Sequence, residues 1–288
     1  MLLDLTKSFV VTSSVSQSQP MDLSNNIGSG ASVTIEGPEI ATYKDLLQRF
    51  VSAEILSITL GQKCRSCKKL EFLTFPRIVV DVDFAGKKLW FVANNAFVTI
   101  SFNISTFLRF GDVSSAEQNH VALMIKTSVG VITVIDRHRY VWAAILNEKE
   151  LKQTILDKTM ISVIRVMDID SLCRCAKDNS AKTETVAEAL CRSHVVSGIG
   201  PRLASEGLYA AKISPWRVAS SVYEKEWECF FMRVHDHWWE SRYAMLAAKS
   251  LEASWTVPTK IWGVSDSDFF REKCARNFVI CWSSSVQH

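Results

Sequence analysis

Between Phe72 and Ile145 the chain is cut into short runs of Val, Ile and Phe separated by polar breaks. This texture narrows the possible folds more than any other feature. Ile78–Phe84, Leu89–Val92, Phe97–Phe102, Val121–Ile125 and Val131–Ile135 are too short for free-standing helices and rich in residues that suit a pleated, half-buried surface. They predict antiparallel strands in a β-sandwich. Asp81 and Asp83, two residues apart, fall on one face of such a strand. They read as a solvated face rather than an acid pair.

The flanks have a different period. After the turn Glu36-Gly37-Pro38-Glu39, apolar residues recur at helical spacing from Ile40 to Ile58, at Leu46, Leu47, Phe50, Val51 and Ile55, which predicts one amphipathic helix. Beyond Asp168, the stretches Thr185–Cys191, Leu203–Ala211, Glu224–Trp239 and Ser241–Leu251 suit helices, and Ile261–Trp282 returns to strand-like pieces. The class is α+β with two domains. A Ser-rich extension over 1–34 is expected to be flexible. A helix plus antiparallel β-sandwich follows over 35–150, then a helical domain over 160–254 and a β-hairpin over 255–288.

Bulk properties exclude little. A formal net charge of +3 permits a nucleic-acid partner without requiring one. The eight cysteines, with no cationic segment ahead of the first apolar stretch, point to reduced thiols in an intracellular compartment, the nucleus or the mitochondrion. The apolar run Val121–Ile135 is broken by Lys126, so no membrane span is expected. Cys64 and Cys67, with Cys173 and Cys175, would close a zinc site if the fold brought them together; unpaired thiols are the other reading. His235 and His237 sit about 200° apart on a helix, which prevents them from sharing one ion easily. No metal and no cofactor is expected. The four tryptophans from Trp216 to Trp239 read as helix packing.

The most informative local pattern is Val196-Ser197-Gly198-Ile199-Gly200-Pro201, followed by a helix and by Ile213-Ser214-Pro215. A Gly-x-Gly turn opening onto a helix start presents backbone N–H groups suited to a phosphate. Gly198-Ile199-Gly200, Ala204-Ser205-Glu206-Gly207-Leu208 and Ile213-Ser214-Pro215 resemble the helix–two-turns–helix of formamidopyrimidine-DNA glycosylase and endonuclease VIII (Fpg/Nei). Over a shorter span they resemble a ribosomal protein with the same motif. Four further matches occur in the order of the Fpg/Nei family. Ile35-Glu36-Gly37-Pro38-Glu39-Ile40 resembles its N-terminal signature, and Gly86-Lys87-Lys88-Leu89 its Gly-Lys strand motif. Asp136-Arg137-His138-Arg139-Tyr140 resembles its Asp-x-Arg-Arg-Phe loop, and Arg276-Asn277-Phe278-Val279-Ile280 the strand of its terminal finger.

The resemblance implies a chemistry. In this family a damaged base is flipped out of the duplex. The amine of the N-terminal residue, usually proline, attacks the sugar C1′ and forms a Schiff base. The adjacent glutamate moves protons, and a β-lyase step cuts the strand. Carried over, Glu36 matches the proton-shuttling glutamate and Glu39 the second acid of the signature. Lys87 and Arg276 match phosphate-gripping residues, and Gly198 and Gly200 match the helix–two-turns–helix turn. His138, Arg139 and Tyr140 stand in the loop that wedges into the gap, with His138 in place of an arginine. The family's four-cysteine finger is absent, so the hairpin resembles the zinc-less version.

Two positions depart. Ile35 occupies the nucleophile position behind 34 residues, and its nitrogen is an amide, which cannot form a Schiff base. Pro201 stands where the family has asparagine, and it supplies neither the side-chain amide nor a backbone donor. The sequence thus predicts a nucleic-acid-binding protein, of DNA or structured RNA, without lyase activity. Its role would be lesion recognition or a structural place in a nucleoprotein assembly such as an organellar ribosome. The alternatives are an active glycosylase/lyase after cleavage between Thr34 and Ile35, and a protein–protein scaffold without nucleic-acid binding.

Overall fold

The computed structural model describes residues 35–61, 67–68, 73–94, 96–102, 106–138, 141–153, 169–179, 183–191 and 196–248. The Ser-rich extension, Arg139, Tyr140, Arg276 and the expected terminal hairpin lie outside them.

The chain opens with α1 (Gly37–Leu47), with proline in its first turn, where a missing N–H costs nothing. The helix gives way to a 3₁₀ turn (Gln48–Phe50), and Ser52 adopts φ 71°. The expected continuation to Ile58 is therefore corrected: Ile55 belongs to strand β1 (Glu54–Leu60). Its burial satisfies the helical spacing by coincidence, because a strand emerging from a tight turn also buries alternate residues.

The strands that follow are β2 (Cys67–Lys68), β3 (Arg77–Ala85), β4 (Lys88–Ala93), β5 (Ala96–Ser101), β6 (Thr106–Phe110), β7 (Val121–Thr127), β8 (Gly130–Asp136) and β9 (Trp142–Leu146). Short helices α2 (Ser115–Gln118) and α3 (Glu148–Leu151) punctuate them. The sheet order is β2-β9-β5-β4-β3-β1-β7-β8-β6. The five strands expected between Ile78 and Ile135 are present, and neighbours are antiparallel except for β2 and β9, which pair in parallel. That exception follows from connectivity, since β2 reaches the sheet edge far from β9 in sequence rather than through a hairpin. Strands β1 and β3 meet at only two residue pairs, so the sheet has two arms. Phe91, Val98 and Ile100 of one arm share a core with Leu123, Ile125 and Val134 of the other.

A register shift between Val79 and Asp81 places two successive residues, Val80 and Asp81, towards solvent. Asp83 is half-buried, and each aspartate accepts from the N–H of the next residue.

The C-terminal part is helical: α4 (Ile169–Asn179), α5 (Val186–Cys191), α6 (Pro201–Ala210) and α7 (Glu224–Ala248). The two helices expected around Glu240 are one helix of 25 residues. Trp227, Phe230, Val234, Trp238, Ser241 and Met245 recur every three or four positions and, with Phe231 beside them, are all buried. The small polar Ser241 does not interrupt this face, because it points into the protein and serves as a hydrogen-bond acceptor there. Helices α6 and α7 approach closely at Gly207, where a Cβ would meet Val234 at 2.5 Å. Helix α1 bridges the two parts. Tyr43 accepts from the Leu108 N–H of β6 and stacks on Phe102, while Asp45 pairs with Arg242 of α7. Among the described residues no helix is long and apolar enough to cross a membrane.

Candidate functional site at the junction of the two parts

Three segments distant in sequence meet where α1 starts. The Gly37 N–H donates to the Gly198 carbonyl at 3.0 Å, joining the α1 start to the loop before α6. The turn between β3 and β4 packs on the same loop. A Cβ on Gly86 would stand 2.9 Å from Ser197 Oγ and 3.3 Å from the Gly198 nitrogen, which puts Lys87 at this junction. Trp238 of α7 closes it against Gly37 and Gly198. Gly198 has φ +90°, a backbone conformation that other residues rarely adopt.

Glu36 is fully buried at the centre. Its Oε1 accepts from the Arg202 N–H at 2.8 Å and its Oε2 from the Leu203 N–H at 3.0 Å. The carboxylate therefore fills the first turn of α6, where unpaired N–H groups and the helix dipole favour an anion. A Cβ on Gly200 would overlap this carboxyl, so glycine is required by close approach. The N–H groups of Arg202 and Leu203 are thus already taken by a carboxyl of the chain itself. Pro201, at the first helical position, forgoes a donor that the helix does not use.

Glu39, also fully buried, accepts from the Glu36 N–H at 3.0 Å. Its other oxygen receives Arg202 Nη2 at 2.7 Å, and Arg202 Nη1 reaches Ser241 Oγ at 3.3 Å. Burial pushes the Glu36 carboxyl above the usual carboxylate range. The charges of Arg202 and Lys87 oppose that rise, Glu39 adds to it, and the Leu203 N–H opposes it. Ile35 is itself buried, at 3% exposure.

Sequence reasoning missed Arg202, Trp238 and Ser241. A signal existed for the first. An arginine in the opening turn of a helix opposes the dipole, which implies a nearby acceptor. In the β8–β9 loop, Asp136 is buried and accepts from the N–H groups of His138 at 2.9 Å and Val141 at 2.6 Å. Arg137 and His138 are exposed there.

Of the four cysteines weighed for zinc, only the Cys173 side chain lies among the described residues. It is buried, and its thiol is pushed up to about 11 by burial, then by Glu224, Glu228 and Asp170. A zinc ligand must be a thiolate, which these surroundings disfavour. His235 accepts from Trp239 Nε1 at 2.9 Å, one helical turn away. Among the described residues no group of three or more His, Cys, Asp or Glu could hold a metal ion.

No protein-family model and no curated protein matches the chain. Solved structures do. A Lactococcus lactis formamidopyrimidine-DNA glycosylase bound non-covalently to DNA containing an AP site is similar with a TM-score of 0.64 at 16% identity, over 75% of this chain and 86% of that one. MutM in complex with DNA containing carbocyclic 8-oxo-G gives 0.64 at 19% identity, over 73% and 80%. MutM (Fpg) of Thermus thermophilus gives 0.63 at 18% identity, over 73% and 77%. The chain has an Fpg-like fold, with a β domain followed by a helical domain; at these identities the likeness is one of fold.

Proposed function

We propose that this chain binds nucleic acid on a glycosylase-type scaffold and, as a full-length chain, performs no lyase chemistry. The observation that carries this reading is the placement of Glu36. Its carboxylate is fully buried and engaged as the cap of α6, while the nitrogen beside it, at Ile35, is a peptide amide. A group acting as proton shuttle must reach the reacting sugar, and a Schiff base needs an amine. The burial of Glu36 and the amide at Ile35 both weigh against that chemistry.

The binding half of the proposal rests on Lys87. It sits in the β3–β4 turn beside the Gly198 loop, it is half-buried, and it makes no ion pair among the described residues. Its charge remains available to a phosphate. The structural neighbours include proteins bound to DNA. Arg276, Arg139 and Tyr140 join the proposal from sequence alone, and His138 from its exposed loop.

A second reading has one observation in its favour. The backbone at Ile35 runs directly into the buried pair Glu36 and Glu39, so cleavage after Thr34 would leave a new amine beside two carboxylates. The chain would then be a glycosylase/lyase after trimming. Incubation with abasic-site DNA and borohydride separates the readings. The first predicts no trapped adduct from either the full-length chain or a variant beginning at Ile35. An adduct from the trimmed form alone establishes maturation, and one from the full-length chain overturns the proposal. Binding to DNA and to RNA across a salt series tests the rest. Absence of binding at low salt leaves a protein–protein scaffold.

A further inference from the structure

We infer that Arg202 is a positioning residue, which sets the nucleic-acid surface at the junction without touching the nucleic acid. This inference rests on the binding reading above. One side chain ties three helices together. Arg202 belongs to α6, its Nη2 lies 2.7 Å from Glu39 of α1, and its Nη1 lies 3.3 Å from Ser241 of α7. Its own N–H holds Glu36, the residue immediately before α1.

Both acceptors on the far side, Glu39 and Ser241, are fully buried, so the guanidinium is committed inward. The planar fork of arginine is needed here, because one ammonium cannot meet two acceptors in different directions with the same geometry. Glu39 without this cation would be a buried charge lacking its neutralising partner.

The consequence reaches Lys87. The β3–β4 turn that carries it rests on Ser197 and Gly198, only a few residues before Arg202. The seat of that turn therefore depends on where α6 is anchored. Arg202 fixes the anchor, and Lys87 makes the phosphate contact. The two residues consequently have different signatures in a salt titration. Loss of a phosphate contact lowers the slope of log affinity against log salt by about one. Loss of a positioning group shifts the turn slightly and weakens the Lys87 contact without removing it, so affinity falls and the slope stays where it was.

The test uses the full-length chain and a short fluorescent duplex DNA, with anisotropy read from low to moderate salt. Arg202→Met is expected to weaken binding about tenfold with an unchanged slope, as expected when one packed network is broken. Lys87→Ala is expected to lower the slope. Circular dichroism checks that each variant is folded. If Arg202→Met fails to fold, Arg202→Lys takes its place: it keeps the charge, and the same weakening at constant slope is expected. Wild-type affinity in a folded Arg202→Met or Arg202→Lys variant overturns the inference. A slope reduced by one in Arg202→Met overturns it too, since Arg202 would then be a phosphate contact. If the wild-type chain does not bind at all, the binding reading itself fails, and that outcome is distinguishable because no variant is needed to see it.

Discussion

The ring of Trp238 occupies the space into which a Cβ on Gly37 would project. Trp238 is fully buried, so its ring has nowhere to retreat. Gly37→Ala is therefore an overpacking change at the point where the β part meets the helical part. Such changes cost about 1–3 kcal/mol, occasionally more, and the rigid ring places this one at about 3 kcal/mol. The melting temperature should fall by on the order of 10 °C. A melting temperature within a degree of the wild type would show that the ring has freedom it lacks here.

Tyr43 provides a second test of how α1 is attached. Its oxygen receives the buried Leu108 N–H at 3.2 Å, and its ring stacks on Phe102 at 5.6 Å between centroids. Tyr43→Phe keeps the ring and removes the acceptor. A buried donor left without its partner costs about 1–3 kcal/mol. Chemical denaturation should report that loss with an unchanged m-value. An unchanged midpoint would mean that the donor finds another acceptor.

Lys87→Ala bears on the binding surface rather than on stability. The side chain makes no ion pair among the described residues and is half-buried in a turn, so the change in folding free energy should stay within about 0.5 kcal/mol. Affinity for duplex DNA should drop, and the salt slope should fall by about one. A large stability loss with an unchanged slope would reassign Lys87 to the fold.

The strands were legible because burial on one face leaves a period of two, as in β7, where Leu123, Ile125 and Thr127 are buried while Met124 and Lys126 between them are not. The same logic misplaced Ile55, since Leu47, Phe50 and Ile55 are all buried and their spacing runs unbroken across the turn at Ser52. Nothing in that spacing records a left-handed residue. At the site, Glu36, Lys87, Gly198 and Gly200 were found through resemblance to a family, and their convergence is a matter of tertiary structure. That the Glu36 carboxylate would fill the helix start, where a phosphate was expected, could not be read from a pattern of residues. The contact spans 166 positions. Arg202 was legible in principle, because a cation at a helix start needs a reason.

The same contact makes a prediction about pH. Burial raises the Glu36 carboxyl above its ordinary 4.5 in the folded chain, and the unfolded chain returns it there. Between the two values the folded state holds a proton that the unfolded state releases. Stability must then fall as pH rises through that window, and level off above the folded value. The carboxylates held low by their partners, Glu117 beside Arg109 and Glu226 beside Arg217, act in the opposite sense, gaining stability as pH rises to about 4.5. A single pH profile would mix the two effects. Subtraction of the profile of Glu36→Gln isolates the first, because glutamine cannot titrate and the other carboxylates remain. The wild-type advantage over Glu36→Gln should shrink from pH 4.5 upwards and then stay flat. A wild-type advantage that grows with pH would mean that the two N–H bonds from Arg202 and Leu203, with the nearby cations, outweigh burial, and that Glu36 is held as a permanent anion at the head of α6.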